Sequence, residues 1–330
     1  MKIAFYSTHA FERAYYESFR KSHEITFFTE QLGPETAALA QNHDAVCGFA
    51  NDDLSRPVLE ALMARGVSVV GMRSVGLDNV DRVAMNMLGM VLLHAPGYSP
   101  HSVAEQAATL LLGLVRHLPE SQQRVKAGNF SIDGLTGFDI YGKTVGIVGT
   151  GRIGKGFANI MRGLGCQVIA YDIRPDQRIP VTEVRYVTLG DVLRTSDIIS
   201  LHCPLNQNTR YLINEKSLAT MKSTAVLINT GRGQLVDTKA VLEALDQNRL
   251  AGYAADVYEQ ERAYFHHDFS ETGVTDEILN RLRQHPKVIL TAHQGFLTKE
   301  TLQQTARSLL NQFTFYENQK AAGTSKTSMC

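Results

Sequence analysis

Thr144-Val-Gly-Ile-Val148, followed at once by Gly149-Thr-Gly151-Arg-Ile-Gly154, is the stretch that decides the fold of this chain. The first five residues form an apolar run of strand type, and the glycines open a segment, Arg152 to Leu164, whose small and apolar residues suit a helix. A second apolar run, Val168-Ile-Ala-Tyr171, closes on Asp172. Strand, glycine turn, helix, strand and acid are, in that order, the parts of a dinucleotide-binding βαβ unit. Gly149 allows the tight turn, Gly151 lets backbone approach a pyrophosphate, and Gly154 lets the helix lie close to the strand. The helix N-terminus offers its unpaired N–H groups and positive dipole end to the phosphates. Asp172 can accept both adenosine ribose hydroxyls and would repel a 2′-phosphate. NAD is therefore expected over NADP, with Arg174 as the one nearby cation working against that preference.

In 330 residues two domains are the default, and more than a hundred positions precede the glycine loop. That leading segment alternates short apolar runs (Lys2–Tyr6, Glu24–Phe28, Ala45–Phe49, Val67–Met72, Met90–His94) with helical patterns at Phe11–Lys21, Glu35–Gln41, Arg56–Arg65 and Asp81–Leu88. Strands alternating with helices predict a parallel α/β sheet. Ser99-Pro100 then caps a long helix from Ser102 to about His117, with Pro119 breaking or restarting it. The alternation resumes with strand centres at Val145, Val168, Val184, Ile198, Val226, Tyr253 and Val288. A last helix, from Thr298 to about Tyr316, carries Leu302, Ala306, Leu309 and Phe313 on one face and crosses back to the first domain. The fold class expected is therefore α/β: two Rossmann-like or flavodoxin-like parallel-sheet domains, the substrate domain discontinuous (1–100 with 298–330), the dinucleotide domain at 101–297, and an active-site cleft between them. The polar tail Asn318–Cys330 is expected to be disordered.

Composition narrows the function classes. Lys+Arg and Asp+Glu balance at 33 each, which favours neither nucleic acid nor an anionic membrane. No apolar run approaches the roughly 20 residues of a membrane span, and the N-terminus reads directly as a strand rather than a signal peptide. Cys47, Cys166, Cys203 and Cys330 show no zinc spacing, so no metal site is expected, and free thiols in a reducing cytoplasm are the reading that results.

Charged residues then gather just past apolar runs, where α/β folds place their active sites. Arg232 stands between glycines in Asn229-Thr-Gly-Arg-Gly233, and its planar fork suits a substrate carboxylate. Asp256, Glu259 and Glu261 follow another run, and spacing alone does not choose among them. His293 ends a third, Val288-Ile-Leu-Thr-Ala-His293. An arginine, a carboxylate and a histidine beside a nicotinamide are the residue types that 2-oxo acid reduction requires. The cation fixes the carboxylate and polarises the carbonyl, and the imidazole delivers the proton at neutral pH.

These residues carry a resemblance. The chain resembles the D-isomer-specific 2-hydroxyacid dehydrogenases, and within them the bacterial fermentative D-lactate dehydrogenases, from Met1 to about Glu317. Carrying it are Arg73-Ser-Val-Gly-Leu-Asp-Asn-Val-Asp81, Tyr98-Ser-Pro-His-Ser-Val-Ala-Glu105, Gly149–Gly154, Ser200-Leu-His-Cys-Pro204, Asn229–Gly233, Asp256-Val-Tyr-Glu-Gln-Glu261 and His293-Gln-Gly-Phe-Leu-Thr298. The resemblance implies Arg232 as ligand of the substrate carboxylate and carbonyl, His293 as proton donor, and Glu261 rather than Glu259 as the partner of His293. It implies cofactor contacts at Gly149, Gly151, Arg152, Ile153, Gly154, Asp172, Cys203, Pro204, Thr209, Thr230, Gly231 and Asp256. It places substrate contacts at the backbone of Val75 and Gly76 and at a small pocket walled by Phe49, Tyr98 and Phe296. The stretch Ala263-Tyr-Phe-His-His-Asp-Phe269, between Glu261 and His293, matches the D-lactate branch. Three positions depart from that branch: Gln106 where histidine is common, Leu77 where an aromatic is frequent, and Gly295 where alanine is usual. The implied activity is reversible, NAD-dependent reduction of pyruvate to D-lactate by a homodimer, with tetramers as an option. A broader 2-hydroxyacid specificity and a NAD-sensing co-regulator are the rival readings.

Overall fold

The computed structural model describes residues 1–74, 76–94, 99–178 and 180–322. They divide between two compact units: Met1–Ser99 with Leu297–Cys330, and Pro100–Phe296.

The first unit is built on five short strands: β1 (Lys2–Phe5), β2 (Glu24–Phe27), β3 (Ala45–Gly48), β4 (Val69–Met72) and β5 (Val91–His94). Helices α1 (Ala10–Phe19), α2 (Arg56–Met63) and α3 (Arg82–Met87) alternate with them. All neighbouring pairs run parallel in the order β2-β1-β3-β4-β5, the flavodoxin-like doubly wound order. Strands β3 and β4 are buried on both faces, which explains their continuous apolar runs. The C-terminal helix of the chain (Lys299–Ala321) also belongs to this unit and seals one face. Its Ala306, Leu309, Leu310 and Phe313 are buried against Ile3, Phe5, Ala45, Cys47 and Val69. Contact is so close at β4 that a Cβ on Gly71 would stand 2.5 Å from the Phe313 ring. Thr298 caps the helix by accepting from the Thr301 N–H, and the N-terminal ammonium donates to Glu317 at 2.7 Å.

The second unit begins with α4 (Pro100–Val115) and α5 (Leu118–Lys126). It continues through β6 (Thr144–Val148), α6 (Arg152–Gly163), β7 (Gln167–Tyr171), β8 (Arg185–Tyr186), α7 (Leu189–Thr195) and β9 (Ile198–Leu201). Then come α8 (Glu215–Leu218), β10 (Val226–Asn229), α9 (Thr238–Asp246), β11 (Gly252–Ala255), α10 (Glu277–Gln284) and β12 (Val288–Leu290). The C-terminal helix of the first unit is thus α11. The seven strands are all parallel in the order β12-β11-β10-β9-β6-β7-β8. Chain progression reverses between β6 and β9, and ligands of doubly wound sheets bind at the carboxyl ends of strands beside that point. Among the described residues no helix is long and apolar enough to cross a membrane.

Four sequence expectations change. The helix expected at Glu35–Gln41 is a 3₁₀ turn, Ala37–Ala40, of the short connecting kind. The strand centred on Val184 begins one residue later and is only two residues long. The long helix starts at Pro100 rather than Ser102 and ends at Val115; Pro119 sits in the first turn of α5, where its missing N–H costs nothing. The tail is not disordered from Asn318, since α11 runs on through Gln319, Lys320 and Ala321, all good helix formers; positions 323–330 lie outside the described residues.

Candidate active site

Every element of the site in the second unit lies just past the carboxyl end of a strand. Gly149 follows β6 with φ +95°, and an added Cβ would stand 2.7 Å from the His202 backbone. Gly154 lies in the first turn of α6, where an added Cβ would be 2.0 Å from the Gly149 carbonyl. Neither position tolerates a side chain, and the loop is held tight for that reason. Gly151 caps α6 with no side chain over the helix end, and a Cβ there would meet nothing within 4 Å. Arg152 is exposed in the first turn, Ile153 is half-buried against the core beneath, and that turn holds no acid. This open helix N-terminus fits a pyrophosphate.

Asp172, at the end of β7, faces the loop. Its Oδ2 accepts from the Thr150 amide at 2.6 Å and the Thr150 hydroxyl at 3.0 Å, and its Oδ1 accepts from the Arg174 amide at 2.8 Å. Partial burial pushes the carboxyl up, but these hydrogen bonds and nearby Lys155 outweigh it and hold Asp172 below its ordinary value. Arg174 therefore enters through its backbone amide. Tyr186 in turn donates to the Thr150 hydroxyl at 2.9 Å. Thr150, between Gly149 and Gly151, fixes the Asp172 carboxylate, a role that the glycine pattern alone does not reveal.

Past β9, His202 is half-buried beside Phe157, its Nε2 2.8 Å from the Ser200 hydroxyl, and desolvation holds it down to about 4, a neutral histidine. Cys203 is half-buried, its thiol pushed up to about 11 by burial, which makes it a poor nucleophile. Pro204 and Thr209 bracket a turn in which the Thr209 hydroxyl donates to the Pro204 carbonyl at 2.7 Å and accepts from the Asn206 amide at 2.8 Å. Past β10, Thr230 is buried and its Oγ1 has no partner among the described protein atoms. A buried hydroxyl without a partner beside an open helix N-terminus is what a site for a polar ligand group requires. The donor set thus fits a dinucleotide.

Arg232 lies two residues past Thr230. The Asn229 side chain ties this turn together, donating to the Arg232 carbonyl at 2.9 Å and accepting from the Gly231 amide at 3.1 Å. Gly233 is required because the Tyr258 backbone passes 2.1 Å from where its Cβ would be. That close approach brings the loop after β11, which carries Glu261, against the loop carrying Arg232.

Glu261 opens a 3₁₀ turn, Glu261–Ala263, and His293 follows β12. The His293 Nδ1 stands 2.6 Å from Glu261 Oε1, and Glu261 Oε2 accepts from the Tyr258 amide at 2.9 Å. Both side chains are mostly buried, 19% and 16% exposed. Burial alone would push the imidazole down, yet the Glu261 contact, helped by Asp256 and opposed by Arg232, raises His293 above its ordinary value. Burial would raise Glu261, and the same contact with His293 holds it low. The pair shares one proton-bearing bond through Nδ1, which leaves Nε2 as the nitrogen able to exchange a proton with substrate. Glu259 is engaged elsewhere, accepting from the Thr238 amide at 2.7 Å.

Asp256 is wholly buried and ties β10 to the His293 loop. Its carboxylate accepts from the Thr291 hydroxyl at 2.5 Å, the Gln294 amide at 2.9 Å and the Gly295 amide at 2.7 Å. Its carbonyl accepts from the His293 amide at 2.7 Å, while its own amide donates to Asn229. Gln106, on α4, reaches Thr291 Oγ1 at 3.2 Å. A Cβ at Gly295 would stand 3.0 Å from Asp256 Oδ2 and 3.5 Å from Gln106. Two of the three departures from the D-lactate branch are therefore neighbours: Gly295 donates to the Asp256 carboxylate directly, and Gln106 meets it through the Thr291 hydroxyl.

Phe49 and Gly76 belong to the first unit. Phe49 is buried at the end of β3, its amide on Asp52 and its ring under the Arg73 guanidinium at 5.2 Å. Arg73 donates to the Tyr6 and Ser7 carbonyls and lies 3.4 Å from Glu12, and Ser74 bonds the Gly76 carbonyl at 2.7 Å. Leu77 packs against the apolar core of this unit. Phe296 is half-buried at the end of the second unit. Val75 and Tyr98 lie outside the described residues.

The model of the D-isomer specific 2-hydroxyacid dehydrogenase, NAD binding domain, family matches residues 108–295. The chain is 44% identical to 2-hydroxyacid dehydrogenase A of Aspergillus oryzae over 93% of this chain and 89% of that protein. It is 40% identical to D-lactate dehydrogenase of Escherichia coli, over 94% and 95% of the two chains. Among solved structures, the pyruvate reductase of Chlamydomonas reinhardtii superposes with a TM-score of 0.89 at 36% identity, covering 96% of both chains.

Proposed function

The chain belongs to the D-isomer-specific 2-hydroxyacid dehydrogenase family, with NAD as its cofactor, and we propose that within it this protein is a D-lactate dehydrogenase that reversibly reduces pyruvate. The observation that carries the chemistry is the 2.6 Å contact between His293 Nδ1 and Glu261, with Arg232 close enough to perturb both. Bound NADH supplies the hydride that adds to the carbonyl carbon. Arg232 pairs with the substrate carboxylate through its planar fork and polarises the carbonyl oxygen. His293 gives its Nε2 proton to that oxygen as the alkoxide forms, and Glu261 stabilises the imidazolium beforehand and orients the ring afterwards. In the reverse direction neutral His293 accepts the hydroxyl proton.

The roles extend to the loops around the pair. The open N-terminus of α6 and the Thr150-fixed Asp172 hold the pyrophosphate and adenosine ribose, Thr230 and Gly231 the nicotinamide end. Asp256 holds the His293 loop in register for it. Phe49, Gly76 and Phe296 take substrate-holding roles. The names of the E. coli and Chlamydomonas relatives support pyruvate as substrate. Self-association as a homodimer is part of the proposal, supported by α5: it buries no residue, and Leu118, Phe130 and Ile132 on it and just after it are 54%, 77% and 81% exposed. The free thiols Cys47, Cys166 and Cys203 support a reducing, cytoplasmic setting.

A chiral product assay with pyruvate and NADH tests the reading, alongside a panel of phenylpyruvate, branched 2-oxo acids and hydroxypyruvate. D-lactate as product, with pyruvate first in kcat/KM, is expected. L-lactate, or a larger acid ranked first, overturns the substrate assignment, and no turnover of any acid overturns the enzymatic one.

A further inference from the structure

The loop between Glu261 and His293 carries a second imidazole that the reaction so far does not use. His266 has its ring centroid 6.5 Å from that of His293, the two planes tilted by 49°. Its ring also lies against the backbone of Ala292 and His293, whose carbonyls favour its protonated form. Both histidines occupy left-handed backbone, φ +50° at His293 and +69° at His266. Residues other than glycine stay in that region only when their surroundings hold them there. At His293 the amide is held by the Asp256 carbonyl at 2.7 Å, and the His266 ring supplies the hold on the carbonyl side of the same residue.

We propose that His266 is a positioning residue for proton transfer: its imidazole braces the strained backbone of His293 so that Nδ1 stays on Glu261 and Nε2 stays directed at substrate. This rests on the reading of His293 as proton donor. The brace is also pH-sensitive. His293 is faced by Glu261 from the 3₁₀ turn, by Asp256 from the loop after β11, by Arg232 from the loop after β10, and by His266. His266 is faced by His293 and Glu261, and burial and the His293 charge keep it neutral below the usual imidazole range. When it does protonate in acid, a second positive charge arises beside the His293 imidazolium and competes for Glu261. Turnover should fall there.

The test measures kcat and KM for pyruvate and NADH across pH in the full-length enzyme and in His266→Phe, His266→Gln and His293→Gln. Phenylalanine keeps a ring of similar size without donor or charge, and glutamine keeps a donor without charge. Loss of one hydrogen bond predicts a kcat about three- to tenfold lower for His266→Phe at neutral pH, with the KM for NADH unchanged and most of the loss restored in His266→Gln. The acid-side inflection of the wild-type kcat profile should be missing from both variants. Should the phenylalanine variant not fold, the glutamine variant still carries the pH comparison. A His266→Gln profile that superimposes on wild type, acid inflection included, overturns the proposal. Wild-type turnover in His293→Gln overturns the donor reading itself, and this proposal with it.

Discussion

Replacing Glu261 by glutamine leaves a side chain of the same shape and an oxygen that can still accept from His293 Nδ1, and removes only the charge. Its effect can be worked from the pair. With charge centres about 4 Å apart, attraction at an effective dielectric of 20 is about 4 kcal/mol. A neutral amide acceptor returns roughly half of that, so the imidazolium loses about 2 kcal/mol, or about 1.5 pH units. Burial is the largest influence on His293 and works against its charged form; the Glu261 contact, helped by Asp256, reverses that. Without the Glu261 charge, burial and Arg232 oppose the imidazolium against only Asp256 and a neutral hydrogen bond, so the His293 pKa should fall. Reduction needs the protonated form. The basic limb of kcat/KM for pyruvate should therefore move down by about 1.5 pH units, leaving a loss of about thirtyfold above both limbs and little loss below them. Lactate oxidation needs the neutral form, so its acid limb should move in the same direction and oxidation should persist at lower pH. Full pH profiles in both directions measure this. A basic limb that stays in place or moves up would show that Glu261 does not hold the proton on His293.

Other expectations follow from single contacts. Arg232→Lys should raise the KM for pyruvate about tenfold or more while leaving that for NADH within about twofold, because a point charge cannot reproduce the guanidinium fork; steady-state kinetics with each substrate varied would show it. Asp172→Ser should raise the NADP-to-NAD ratio of kcat/KM about tenfold or more by removing like-charge repulsion at the ribose, read from paired cofactor titrations. Asp256→Asn puts an amide N–H against the Gly295 or Gln294 amide, so kcat should fall about tenfold with the KM for NADH little changed; a rise confined to that KM would assign Asp256 to the cofactor instead. Phe130→Asp combined with Ile132→Asp should turn a dimer into a monomer by light scattering, and an unchanged mass would place the interface elsewhere.

How far the sequence could be read depended on whether a signal was local. The glycine loop was legible because each of its residues answers a local demand: a turn at Gly149, a bare helix end at Gly151, a close approach at Gly154. The sheets were legible because strands buried on both faces write themselves as apolar runs, as at β4 and β10. The length of α11 was not, since polar helix formers after Tyr316 look the same in a helix as in a free tail. What spacing could not do was choose between Glu259 and Glu261. That choice is made by Gly233, whose missing Cβ admits the Tyr258 backbone. Glu259 is then turned onto the Thr238 amide, and Glu261 onto His293. The same holds for Gly295 and Gln106, which in sequence are separate departures from one branch. Folded, they meet at the His293 loop: Gln106 reaches the Thr291 hydroxyl that donates to Asp256, and a methyl group at position 295 would press on the Asp256 carboxylate at 3.0 Å. Gly295→Ala is thus a substitution against the Asp256 carboxylate that holds the His293 loop. It should change kcat while leaving the ranking of 2-oxo acids as it was, whereas a changed ranking with kcat intact would put residue 295 against the substrate.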